Sequence, residues 1–311
     1  MAVLSQLRYP TTRRAKLISG LLALILFFLI ATAIVAGTLL TRIVWPARTP
    51  AQLNVDLLLG HPSKLTFTVP GSGTREGIFF PGLRGAPTIV LCHGYSSQRA
   101  DILTMVTALQ EHHYNVFLFD FSGHGITPGL TTFGYKEAGE LRAAIQTLAQ
   151  RDDVDPMRFG VWGTDLGGYA ALHEAISDAH IRALAVASVY EAPVDMVVLQ
   201  VDRTGLQELP LVVPLCKFGF RMLNYRYRKE PPLVSGLERL HGVPKLFIEV
   251  RDELQLYNST MRLFNRAPDP RQQLAETDSY VEMSDEERRA YENAIVTFFL
   301  QNLPTSATAS R

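Results

Sequence analysis

The chain has 311 residues, 47% of them hydrophobic, with 30 lysines and arginines balanced by 30 aspartates and glutamates. That length favours one sizeable domain with an appendage, and neutral charge without a long basic block excludes a nucleic-acid footprint or an acidic polymer as the natural partner. The only two cysteines, Cys92 and Cys216, exclude a disulfide framework and a multi-cysteine zinc site, and two buried thiols are expected rather than a bridge.

The first predicted element is a membrane span. Leu17 to Leu40, LISGLLALILFFLIATAIVAGTLL, carries no charge, and about 20 apolar residues suffice to cross a bilayer. Arg8, Arg13, Arg14 and Lys16 precede it, and Arg42 and Arg48 follow more sparsely. The positive-inside rule therefore keeps segment 1–16 in the cytoplasm and sends the rest of the chain to the outer side of the cell membrane, periplasmic or extracellular. The rival reading is a cleaved signal peptide, with Ala31, Ala33, Ala36 and Gly37 as small residues, although the apolar run exceeds the usual h-region.

Segment 41–62, with Pro46, Pro50 and Pro62, reads as a tether. Lys64 to Val69 and Glu76 to Phe80 flank the turn PGSGTR and predict an antiparallel opening pair. Apolar runs follow at Thr88 to Cys92, Val116 to Phe119, Phe159 to Trp162, Ala183 to Ala187 and Lys245 to Val250, as strands buried on both faces would read. Helical patterns intervene at Ala100 to His112, Tyr135 to Gln150 and Gly168 to Ser177. The alternation predicts an α/β domain over 63–304, a mostly parallel sheet flanked by helices. Segment 189–243 is too long for an ordinary connection and is expected to form a cap, or in part a long crossover with one helix. A closing helix from Ser284 to Leu303 has Ser284 and Glu287 spaced as a capping box, with Ala290, Ile295, Phe298, Phe299 and Leu303 available to a core face. The tail 305–311 is polar.

Three motifs then fall in order. His93-Gly94 follows one apolar run, Asp120-Phe121-Ser122-Gly123-His124-Gly125 follows the next, and Gly163-Thr164-Asp165-Leu166-Gly167-Gly168 joins a strand to a helix. Together they resemble the α/β-hydrolase superfamily, and within it the membrane-anchored serine-hydrolase-like branch of the Bem46-like proteins, from about Lys64 to Leu303. The resemblance implies the α/β-hydrolase fold, with Asp165 at the apex of the nucleophile elbow. It places an oxyanion hole at the backbone N–H groups of Tyr95 and Leu166, with His93, Gly94, His124, Gly163 and Gly167 supporting the motifs. It also places the triad acid at Asp252, just after the KLFIEV strand, with Glu191 as an alternative.

Two departures stand against that pattern. Asp165 takes the place of serine, and after His241 the chain has no histidine, although the resemblance puts the catalytic base on the loop before the closing helix, here LAETDSYVEMSDE. A carboxylate nucleophile serves haloalkane dehalogenases and epoxide hydrolases, but without a base an ester on Asp165 would turn over slowly, since general-base help is worth roughly 10²–10⁴-fold. His93 and His124 are the candidate replacements. Thr164 and Ser96-Ser97 are hydroxyls off the apex, and His112, His113, His173 and His180 show no metal-site pattern. The sequence thus predicts a membrane-anchored α/β-hydrolase-fold protein with impaired or lost catalysis, no cofactor and no metal, binding a small molecule or a protein; Phe218, Phe220, Tyr225 and Tyr227 are candidate pocket linings, though aromatics of this kind are more often ordinary cap packing than a site. The alternative is an active hydrolase of esters, epoxides or carbon–halogen bonds with Asp165 as nucleophile and an unconventional base.

Overall fold

The computed structural model describes residues 12–51, 53 and 61–305. The start of the basic segment, the tether at 52 and 54–60, and the tail from 306 lie outside the described residues. In chain order the chain forms α1 (Arg13–Val44), β1 (Ser63–Val69), β2 (Gly73–Phe80), β3 (Thr88–Cys92), α2 (Leu103–Gln110), β4 (Asn115–Phe119) and α3 (Tyr135–Leu148). Then follow β5 (Phe159–Thr164), α4 (Leu166–Ala175), β6 (Ile181–Ala187), α5 (Pro193–Asp202), α6 (Val212–Leu223) and the single turn α7 (Leu233–Gly236). β7 (Lys245–Val250), α8 (Leu254–Arg266), β8 (Arg271–Glu276) and α9 (Asp285–Asn302) complete the fold. These elements divide into two compact units, one joining the N-terminal helix to Val197–Tyr225 and the other comprising Val44–Met196 and Arg226–Arg311.

In the larger unit the strands form one eight-stranded sheet in the order β1-β2-β4-β3-β5-β6-β7-β8. β1, β2 and β4 pair antiparallel, and every pairing from β4 to β8 is parallel. The opening hairpin is the expected one, tightened by a turn that lets β2 begin at Gly73. β3, β4 and β7 are buried along their whole length, as strands with helices on both faces must be. One core joins Ile89, Leu91, Leu118, Trp162 and Ile248 to Tyr291, Ile295, Phe298 and Phe299 of α9. The predicted capping box of α9 is present, Ser284 Oγ accepting from Glu287 N while Ser284 N donates to Glu287. Ala290, assigned to the core face, is exposed instead, because the inward stripe runs through Tyr291 and Val296.

Two elements lie beyond the predicted set. β8 (RQQLAE), at the edge of the sheet, has only exposed and half-buried residues and so lacks an apolar run. α8 buries Ser259 and Thr260 beside Leu256 and Leu263, and its hydroxyls mask the helical stripe. In the smaller unit, α1 is an apolar helix of 32 residues, a candidate membrane span extending past the expected end at Leu40. Cys92 and Cys216 are both free and buried.

Candidate active site

The site begins where β5 turns into α4. Asp165 occupies the turn with φ 37° and ψ −99°, a left-handed backbone that a non-glycine residue adopts only when its surroundings enforce it. Two hydrogen bonds of 2.8 Å do so, from Asp165 N to Ala187 O and from Tyr169 N to Asp165 O. The turn also needs small neighbours. A β-carbon on Gly163 would lie 2.6 Å from the Gly167 backbone, and one on Gly167 would collide with the carbonyls of Cys92 and His93. Bare glycine at 163 lets the start of α4 lie against the end of β5, and at 167 against the end of β3.

That close approach brings together residues 70 apart in sequence. Asp165 Oδ1 accepts a hydrogen bond of 2.7 Å from Tyr95 N and another from Leu166 N, the first amide of α4. The carboxylate is thus held by two backbone donors at a helix N-terminus, where the dipole and charge-assisted hydrogen bonds both favour an anion. Gly94 keeps the space open, since a β-carbon there would lie 3.1 Å from Asp165 Cγ.

The walls are aromatic. Tyr95 stands 5.1 Å from the ring of Phe133 and 5.7 Å from His124. Buried Tyr190 donates from its hydroxyl to Phe133 O at 2.8 Å and stacks on Tyr169 at 5.2 Å. Burial, and after it the charge of Asp165, push the Tyr190 phenol well above its ordinary range, so it is a neutral donor. Phe133 and Tyr190 were not singled out from sequence, because nothing in TTFGY or SVYEA distinguishes them from core aromatics.

The two candidate replacement bases have other roles. His93 is fully buried, with Nδ1 donating to Gly94 O at 2.8 Å and Nε2 accepting from Phe121 N at 3.0 Å. Both nitrogens are committed, and the ring braces the two loops that meet at Tyr95. His124 Nδ1 donates to Ser122 O at 3.1 Å, whereas its Nε2 is buried without a hydrogen-bond partner. Desolvation lowers both imidazoles to about 4 and keeps them neutral, the neighbouring His93 adding to the effect at His124. Asp120 is also a brace, accepting from Arg99 N at 2.7 Å and Ile126 N at 3.1 Å.

The remaining triad positions are arranged differently. Asp252 lies on an exposed bend after β7. Glu191, the alternative acid, is paired with Arg262 at 2.6 Å. In the loop after β8, Tyr280 is buried against Trp162 at 5.2 Å and hydrogen-bonded to Glu292 at 2.5 Å and Thr104 at 2.7 Å. These bonds fasten the loop to α9 and α2. Of the off-apex hydroxyls, Ser97 is bonded to Asp101 at 2.9 Å. Of the four aromatics named from sequence, Phe220 is buried, Phe218 and Tyr225 are exposed, and Tyr227 stacks on Tyr135 at 5.0 Å. Among the described residues no three histidine, cysteine, aspartate or glutamate side chains come together as a metal ion would require. A cavity of about 440 Å³ lies elsewhere in the larger unit, bordered by Tyr135, Arg142, His173, Tyr227 and Glu230 and not by Asp165.

Sheet order, elbow and converging amides define an α/β hydrolase. Residues 89–301 match the Alpha/beta hydrolase family, and the chain belongs to it. Among curated relatives it is similar to the uncharacterized protein YfhR of Salmonella typhimurium, 24% identical over 75% of this chain and 80% of that one. It is also similar to the uncharacterized protein Rv2307c of Mycobacterium tuberculosis, 32% identical over 32% of this chain and 36% of the other. Among solved structures, the Pyrococcus furiosus esterase Pf2001 superposes with a TM-score of 0.66 at 19% identity, over 84% of this chain and 98% of the esterase. A dienelactone hydrolase from Anabaena variabilis does so at 0.56 and 15% identity, over 78% and 99%.

Proposed function

We propose that the protein is a membrane-anchored α/β-hydrolase-fold domain whose hydrolytic chemistry is impaired or lost and which binds a small molecule or a protein partner. One observation carries this reading: the Asp165 carboxylate sits on the Tyr95 and Leu166 amides, the donors that would otherwise stabilise a substrate oxyanion. The anion site holds an anion of the protein itself. The missing histidine after β8 supports the same reading, as do the committed nitrogens of His93. Localisation follows from the flanking charge, with the N-terminus in the cytoplasm and the domain on the outer face of the cell membrane.

The alternative, an active hydrolase with Asp165 as nucleophile, draws support from His124 Nε2, an uncommitted base beside Tyr95, and from the fold shared with an esterase. Vacating the anion site tests the first reading. Asp165→Ala should bind a short-chain carboxylate such as butyrate at least about tenfold more tightly than the wild type by calorimetry, a gain of about 1.4 kcal/mol. Equal affinity in both proteins would show that the two amides are not an anion site filled by Asp165.

A further inference from the structure

The smaller unit joins two elements whose sequences alone do not announce a relationship. α6 packs against the last turns of α1, with Cys216 Sγ 3.5 Å from Ala36 O and Gly219 so close to Leu40 that a β-carbon would lie 2.6 Å from its Cδ2. Val212, Cys216 and Phe220, at four-residue spacing, form the buried stripe of α6. On α1 the buried residues begin at Ala36, whereas from Leu17 to Ile34 the large apolar side chains are exposed. That bare stretch of α1 is about 27 Å long, close to the roughly 30 Å of a bilayer's hydrocarbon core. α6 is therefore seated where α1 would leave the hydrocarbon.

α6 and its flanks have a second apolar surface. Leu209, Leu211, Phe218, Met222, Leu223 and Tyr225 are each at least 45% exposed. Phe218 and Met222, at i and i+4, share one face of α6, with Arg221 flanking it and Leu211 exposed on the left-handed residue that precedes the helix. From Leu209 to Lys229 the sequence holds five basic residues, Lys217, Arg221, Arg226, Arg228 and Lys229, and no acidic one, within a chain of zero net charge. An exposed apolar stripe with a basic border suits a helix lying in the headgroup layer of an anionic leaflet.

We infer that α6 is an interfacial membrane-binding helix, its Phe218–Met222 face sunk into the leaflet that α1 exits and the basic residues around it against anionic headgroups; this rests on the reading of α1 as a membrane span. Continuity with that span selects a lipid surface as occupant, and the charge selects an anionic one.

The test uses the full chain in vesicles of phosphatidylglycerol and phosphatidylcholine. Phe218→Cys and Met222→Cys carry an environment-sensitive fluorophore, with Phe28→Cys and Arg289→Cys as references and the unsubstituted chain as the labelling blank. Labels at 218 and 222 should be blue-shifted and quenched at least about twofold by lipids spin-labelled near the headgroup, while the label at Arg289 is unaffected. Labels at 218 and 222 that behave like the one at Arg289 would overturn the proposal. So would a blue shift without quenching by lipid, which would mean that protein, a second copy included, covers the face. The label at Phe28 separates the two readings: deep quenching there without quenching at 218 and 222 defeats only the α6 proposal, whereas no quenching at Phe28 defeats the span itself.

Discussion

Burial sets the protonation of several residues around the site, and its cost is measurable. In the folded chain His93 and His124 stay neutral down to about pH 4, whereas unfolded imidazoles titrate near 6.5. Between those values the unfolded state binds more protons, so these groups make stability fall as the pH drops from about 6.5 to about 4. Replacing His124 by glutamine, which retains a donor for Ser122 O, should flatten that limb by about 1.4 kcal/mol per pH unit in urea titrations. A variant with the wild-type slope would mean that His124 is not a buried neutral ring. The Arg75–Glu140 pair, 2.9 Å apart and almost wholly buried, provides a second case. Arg75→Ala should cost about 3–5 kcal/mol by leaving Glu140 uncompensated, whereas Arg75→Met with Glu140→Leu should recover most of it.

At the scale of elements, the elbow depends on contact between the start of α4 and the end of β3. Gly167→Ala should drive the two apart, since the new methyl meets the carbonyls of Cys92 and His93. The expected loss is about 1–3 kcal/mol in chemical denaturation, together with a shifted Tyr95 amide resonance as its bond to Asp165 lengthens. An unmoved Tyr95 resonance would contradict the account of how β3 and α4 assemble the site. The elbow itself was legible in the sequence, because glycines at 163, 167 and 168 around one polar residue after an apolar run have few other uses. The pairing of Tyr95 with Asp165 was not, since the resemblance located both groups but left open whether the carboxylate would turn toward the amides. β8 and α8 were missed for a different reason. An edge strand reading RQQLAE and a helix that buries Ser259 and Thr260 lack the periodic apolar signal on which sequence reading depends. The hydroxyl of Thr260 explains its burial, accepting from Val189 N at 2.8 Å at the end of β6.

At the scale of the whole molecule, the proposed anchor fixes which compartment the domain meets. A membrane-impermeant thiol reagent applied to intact cells should label Arg289→Cys, on the exposed side of α9, and leave the unsubstituted chain, with both its thiols buried, unlabelled. Labelling only after lysis would place the domain in the cytoplasm and reverse the orientation inferred from Arg13, Arg14 and Lys16. The central claim concerns chemistry, and turnover tests it most directly. The purified protein and its Asp165→Ala variant are assayed side by side on short and long acyl esters, an epoxide and a haloalkane. On this reading the wild type stays near the buffer rate, and Asp165→Ala, its two amides vacated, gains at most the residual catalysis of an oxyanion hole and binding, roughly 10³–10⁴-fold. Turnover by the wild type that disappears in Asp165→Ala would contradict it and establish Asp165 as a working nucleophile.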